Sequence, residues 1–243
     1  MNMLTFPTEA ELNEAAAGIV AGLVQTKPSA VLGLATGSTP IGIYAEMIRA
    51  HRKGLVSYKH VTTFNLDEYV GLPADDPQSY ARYMEEHLFR HIDVTPGRTH
   101  IPNGVAADPQ AECARYDALL ESAGQIDLQL LGLGHNGHIG FNEPDHSLLS
   151  GTHVVRLSEQ TRAANARFFE SVDRVPTHAI TMGVGTILKA KTILLAVKGA
   201  DKADILHRAL TGEIATECPA SLLQTHPHLV VLADAEAGRR FRT

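Results

Sequence analysis

Much that would tie a chain to a membrane, a nucleic acid or a disulfide framework is missing from this sequence. No apolar run approaches the ~18 residues needed to span a bilayer. The first residues, Met1 to Glu14, are acidic and lack the basic start and apolar stretch of a secretory signal. Lys and Arg number 21 against 27 Asp and Glu, a formal charge of −6, and the basic residues are scattered rather than striped. A phosphate-backbone binder needs a basic face, so no nucleic-acid partner is expected. The only two cysteines, Cys113 and Cys218, stand far apart without metal-ligand spacing, which suits a reducing, cytoplasmic setting. No Pro/Gly/Ser linker, charge block, low-complexity tract or internal repeat divides the chain. Residues 1–243 therefore read as one domain with one sizeable core.

What is present is regular alternation. Thr8-Glu9-Ala10-Glu11 has the form of a capping box, and Leu12, Ala16, Ile19 and Leu23 recur at helical spacing, predicting a helix over 8–26. Apolar runs bounded by turn residues follow at 30–35, 61–66, 126–133, 178–182, 192–197 and 228–233. Most are continuously apolar, as expected of strands covered on both faces. Helical patterns separate them at 40–53, 79–90, 109–123, 159–170 and 200–211. Strand alternating with helix predicts a mostly parallel, twisted sheet in a three-layer α/β/α sandwich, with ligands bound beyond the carboxyl ends of the strands.

The residues at those ends carry the chemistry. After the first run comes Thr36-Gly37-Ser38-Thr39-Pro40, a turn and helix start whose free N–H groups make an anion site. It is no Walker A loop, because no Gly-Lys-Ser/Thr closes it. The second run ends in Phe64-Asn65-Leu66-Asp67-Glu68-Tyr69, where apolar flanks desolvate Asp67 and raise its basicity, while Glu68 reads as a solvated or structural charge. The third run empties into Gly132-Leu-Gly-His-Asn-Gly-His-Ile-Gly-Phe-Asn-Glu-Pro144, which offers Asn136, His138 and Glu143. Its G-x-G-x-x-G does not open a helix, since Gly140 and Pro144 follow, so a dinucleotide site is not expected. Nor are His135, His138, His146 and His153 accompanied by the carboxylates or thiolates of a metal centre. Arg162 and Arg167 on a helical stretch, and Lys202 in the first turn of another, are cations suited to a phosphate. Together these describe proton transfer on a small phosphorylated substrate.

The strings Gly33-Leu-Ala-Thr-Gly-Ser-Thr-Pro40, Phe64-Asn-Leu-Asp-Glu-Tyr-Val-Gly-Leu-Pro73 and Gly137-His-Ile-Gly-Phe-Asn-Glu-Pro144 resemble the glucosamine-6-phosphate deaminase family. So do Thr161 to Phe169 and Met182-Gly-Val-Gly-Thr186. The resemblance implies a Rossmann-like fold and conversion of glucosamine 6-phosphate and water to fructose 6-phosphate and ammonia, with no cofactor; the histidine spacing gives no metal site either. It implies Asp67 as the base moving a proton between C2 and C1, His138 as the acid/base of ring opening, and Glu143 as its polarising partner. Asn136 stands where some members have an aspartate; its amide can orient the imidazole but not raise its basicity as an anion would. Thr36, Gly37, Ser38 and Thr39, with Arg167 and Lys202, would hold the phosphate. Some members are allosteric hexamers with basic residues after the catalytic loop. Here His153 and Val155 occupy those places, so a non-allosteric monomer or low-order oligomer is expected, with 145–175 as a mobile lid. A galactosamine-6-phosphate deaminase, a 6-phosphogluconolactonase and a non-catalytic sugar-phosphate sensor are the rival readings.

Overall fold

The computed structural model describes residues 1–166, 169 and 171–241. Near the N-terminus the Thr8 hydroxyl accepts from Glu11 N at 3.2 Å while the Glu11 carboxylate accepts from Thr8 N at 3.0 Å. This reciprocal cap satisfies two of the donors that a helix start leaves open. It opens the helix α1 (Glu9–Thr26), which the sequence places correctly. What the sequence reading missed is β1 (Asn2–Phe6) before it. That strand lies at a sheet edge, with Met1 and Leu4 exposed, so it lacks the continuous apolar signature of its neighbours.

The remaining strands are β2 (Val31–Leu34), β3 (Thr62–Asn65), β4 (Asp67–Tyr69), β5 (Thr99–His100), β6 (Leu128–Leu131), β7 (His153–Arg156), β8 (His178–Thr181), β9 (Thr192–Val197) and β10 (Leu229–Asp234). The other helices are α2 (Ser38–Arg52), α3 (Tyr80–His87), α4 (Pro109–Ala123), α5 (Glu159–Asn165), α6 (Val184–Leu188) and α7 (Ala203–Thr211). Seven strands pair in the order β1-β10-β9-β6-β2-β3-β5, every pair parallel. Three more form a separate antiparallel sheet, β4-β8-β7. The run at 178–182 thus lies in the small sheet and not in the main one. Burial on both faces gives it the same apolar look, which periodicity cannot tell apart from a parallel strand.

Two apolar layers flank the main sheet. Leu32, Leu34, Leu128, Leu130 and Leu194 pack against side chains of α1, α2 and α3 on one face. Val31, Phe64, Leu131, Ile193 and Leu195 pack on the other, against side chains of α4, α6 and α7. Neighbouring residues of one strand serve opposite layers, which is why these strands read as unbroken hydrophobic stretches.

Asp127 locks the amino ends of three strands. Its buried carboxylate accepts from Val31 N (2.8 Å), Lys27 Nζ (2.7 Å) and Lys191 Nζ (2.8 Å). The helix expected over 79–90 breaks at Leu88 (φ −143°, ψ −63°) into α3 and a 3-10 turn, and the one at 200–211 begins as a 3-10 turn, Ala200–Lys202. The stretch expected to be helical over 159–170 is α-helical as far as Asn165. No helix among the described residues is long and apolar enough to cross a membrane.

Candidate active site

The carboxyl ends of β2, β3, β6 and β9 open onto one cleft of about 550 Å³. Its floor begins after β2. Gly37, at φ +101°, takes a backbone conformation that a side chain would strain, and it caps α2 without a side-chain acceptor. The N–H groups of Ser38 and Thr39 therefore have no partner within the helix and stand at its positive end. Tyr83 Oη donates to Gly37 O at 2.7 Å and Tyr44 Oη to Ala35 O at 2.6 Å, so the turn is held from behind. Pro40 is the third residue of α2 rather than the first; the missing N–H costs nothing at either place.

One residue past β3 the chain enters β4, and its two adjacent carboxylates part company. Glu68 Oε1 accepts from Tyr69 N (2.8 Å) and Tyr80 N (2.9 Å), and Oε2 from Ala81 N (2.8 Å). The expectation of a structural charge holds, but the solvated alternative fails, since Glu68 is 2% exposed. Asp67 faces the cleft and accepts no hydrogen bond from any described residue. Burial, with the Glu68 charge second, pushes its carboxyl up to about 8. A bare, desolvated carboxylate is a stronger base than one dressed with donors.

The glycine-rich loop after β6 brings the imidazole. Asn136 Oδ1 accepts from His138 N at 3.2 Å, and Asn136 Nδ2 donates to Glu143 Oε2 at 2.6 Å. His138 Nδ1 stands 3.5 Å from Glu143 Oε1 without a hydrogen bond to any described residue, and Glu143 Oε1 accepts from the Thr161 hydroxyl in the first turn of α5. Burial would raise the Glu143 carboxyl, but His138, Thr161 and Asn136 outweigh it and hold it down at about 2. Glu143 is thus an anion aimed at His138. Gly134 makes room for the ring, since a Cβ there would lie 2.3 Å from His138.

One residue joins the two halves. Thr181 on β8 is the register partner of Asp67, and its hydroxyl accepts from Phe141 N in the His138 loop at 3.1 Å. Asn142 Nδ2 reinforces the contact by donating to Ile139 O and Met182 O, both at 2.9 Å. Backbone approach at Gly140, at φ +58°, is close enough that a Cβ would sit 3.5 Å from Asp67 Oδ2. Asp67 and His138 consequently line the same cleft.

Thr36, Gly37, Ser38, Thr39, Asn136 and Lys202 line it too. Lys202 ends the 3-10 turn before α7, and its Nζ donates to Leu133 O at 2.8 Å. Glu143 stands behind His138 and reaches the cleft through it. Arg167 lies outside the described residues. Arg162 is engaged elsewhere, donating to Val172 O (2.9 Å) and Val175 O (3.2 Å), and is not among the lining residues. His135 pairs with Asp201 at 2.7 Å on the rim, and His153 Nδ1 lies 3.0 Å from Gly151 O. Tyr80, Thr161, Lys198 and Glu9 also line the cleft without having been singled out for it. Tyr80 arrives by way of α3 and Glu9 by way of α1, and no local pattern marks such arrivals. Lys198 directly follows β9, so its place after a strand was the available signal.

Residues 7–231 match the family model described as glucosamine-6-phosphate isomerases/6-phosphogluconolactonase. The chain belongs to this family. Its members include a glucosamine-6-phosphate deaminase of Bacillus velezensis, 52% identical over 238 residues, covering 98% of this chain and 99% of that one. Glucosamine-6-phosphate deaminase 1 of Bacillus subtilis is also 52% identical over 238 residues, covering 98% of each. A solved structure of a monomeric glucosamine-6-phosphate deaminase superposes with a TM-score of 0.96 at 52% identity, covering 98% of this chain and 99% of that one. A 6-phosphogluconolactonase from Leishmania guyanensis shares the family fold, with a TM-score of 0.77 at 20% identity, covering 100% and 99%.

Proposed function

We propose that this chain converts glucosamine 6-phosphate and water to fructose 6-phosphate and ammonia. The observation that carries the reading is the Thr181 junction, which sets a bare carboxyl and an anion-backed imidazole in one cleft that begins at an uncapped helix terminus. The phosphate sits on the N–H groups after Gly37, with Lys202 and Arg167 as its cations. Binding there holds the reacting carbons in register though it is remote from them. His138 moves the proton that opens the pyranose, and Glu143 stabilises the imidazolium that forms. In the open aldehyde the C2 proton is acidic through the C1 carbonyl. Asp67 takes it from C2 and returns it to C1, while O1 gains the proton that the C2 ammonium gives up, leaving a C2 iminium. Water adds at C2 and ammonia departs, which completes the balance.

Asp67 favours this activity over lactone hydrolysis, which needs no carbon base. Incubation with glucosamine 6-phosphate, following ammonia and fructose 6-phosphate together, tests the reading. Equimolar release supports it; turnover of 6-phosphogluconolactone without ammonia refutes it. Galactosamine 6-phosphate in the same assay decides the C4 epimer. Residues 1–243 act as one catalytic unit, since the cleft draws on positions from Glu9 to Asp234. The setting is cytoplasmic, where charged sugar phosphates are retained. The segment 145–175 serves as a lid whose Thr161 reaches Glu143. A substrate analogue should protect it from proteolysis, and equal cleavage with and without analogue would refute that role.

A further inference from the structure

We propose that Glu68 is a positioning residue for the base: its carboxylate anchors the strand carrying Asp67 on the first turn of α3 and fixes a negative charge beside it. The proposal rests on the assignment of Asp67 as the proton-transferring group.

The start of α3 divides its orphan donors between two side chains. Ser79 Oγ accepts from Arg82 N at 3.0 Å, and Glu68 takes the N–H groups of Tyr80 and Ala81. A third bond, from Tyr69 N, closes the carboxylate onto its own strand. The anchor therefore couples β4 to Tyr80, whose side chain enters the cleft and whose hydroxyl lies 3.3 Å from Tyr69 Oη. Loosening it would shift the base and one wall of the cleft together.

The charge follows from the same contacts. Burial pushes Glu68 up to about 7 while its three N–H donors pull it down; Asp67, without a donor among the described residues, is pushed up to about 8. The three N–H donors favour the Glu68 anion, so Glu68 is the carboxyl that carries the charge, and that charge opposes ionisation of Asp67. Asp76 adds a further like charge on the Glu68 side. The other groups that feel Asp67 are the buried hydroxyls of Tyr44 on α2, Tyr80 on α3 and Tyr116 on α4, which stay protonated through this range. His138, backed by Glu143, lines the same cleft as Asp67.

Two variants separate charge from anchorage. Glu68→Gln keeps the length, removes the charge and turns an amide donor towards an N–H. Glu68→Asp keeps the charge but is too short to hold all three bonds. Wild-type ammonia release is measured first, so failure of the functional reading shows there. Glu68→Gln should lower kcat about tenfold to a hundredfold with little change in KM, and move the acid limb of the rate profile down by on the order of one pH unit. Glu68→Asp should lower kcat and leave the limb in place. Wild-type kcat in either folded variant, or an unmoved limb in Glu68→Gln, overturns the proposal. Carboxyl ¹³C titration of the wild type, assigned against Asp67→Asn, needs neither turnover nor a Glu68 variant. Ionisation of Glu68 before Asp67 supports the proposal, and the reverse order overturns it.

Discussion

Asp67 and Glu68 are chemically similar and adjacent, yet among the described residues Glu68 keeps three donors and Asp67 none. That difference sets what each can do, and pH reveals it. In its proposed role as base Asp67 works only when ionised, so kcat/KM should rise with pH towards about 8. The ammonium that a bound amino sugar brings to C2 favours the ionised form, so the limb of kcat should lie lower than that of kcat/KM. A profile flat from pH 6 to 9 would remove Asp67 from the rate law. Asp67→Asn should reduce ammonia release by about 10²–10⁴ while leaving phosphate competition nearly intact. The same substitution should alter stability in a definite direction. An unfolded aspartate loses its proton near 3.8 and the native one near 8, so between these values the native state holds the extra proton. Stability from this group is full below the lower value and is lost as pH rises through the upper one. Melting curves at pH 9 should therefore show Asp67→Asn above the wild type, and a lower melting temperature would contradict the burial argument.

At the scale of elements, the opposite ends of the same strands have separate tasks. The carboxyl ends hold the cleft, and the amino ends are clasped by Asp127 with Lys27, Lys191 and Val31. The two lysines are about half exposed and water replaces part of what they lose, whereas Val31 N–H would be left unpaired inside. Asp127→Ala should cost roughly 2 kcal/mol, seen as a fall of about 4–8 °C in Tm, with kcat unchanged. An equal loss of activity would mean that the two ends are coupled. Several elements were legible in the sequence for local reasons: the capping box of α1, the proline-led α4 and the buried strands β2, β6 and β9. Those it concealed, β1, β4, β5 and β7, are short or lie at edges. Pairing partners make them strands, and partners distant in sequence leave no periodic trace.

For the whole molecule, the chain is similar over nearly its full length to a monomeric deaminase. His153 and Val155, which the family resemblance leads one to expect in place of the cations of allosteric members, both lie on β7. Saturation curves should accordingly be hyperbolic, with N-acetylglucosamine 6-phosphate leaving them unchanged, and sedimentation should give a species of about 26.2 kDa. Sigmoidal curves made hyperbolic by that sugar would refute this. The layered architecture and the glycine turn after β2 were legible in residue order alone, and so was the place of Asp67, Asn136 and His138 just beyond strand ends, because apolar runs, turns and helix starts obey neighbours in sequence. Tertiary structure alone decided that residue 67 pairs with Thr181, that this hydroxyl holds the loop of residue 138, and that Glu68 is sealed beneath α3. Those outcomes depend on contacts between segments far apart along the chain, and such contacts form only when the layers close.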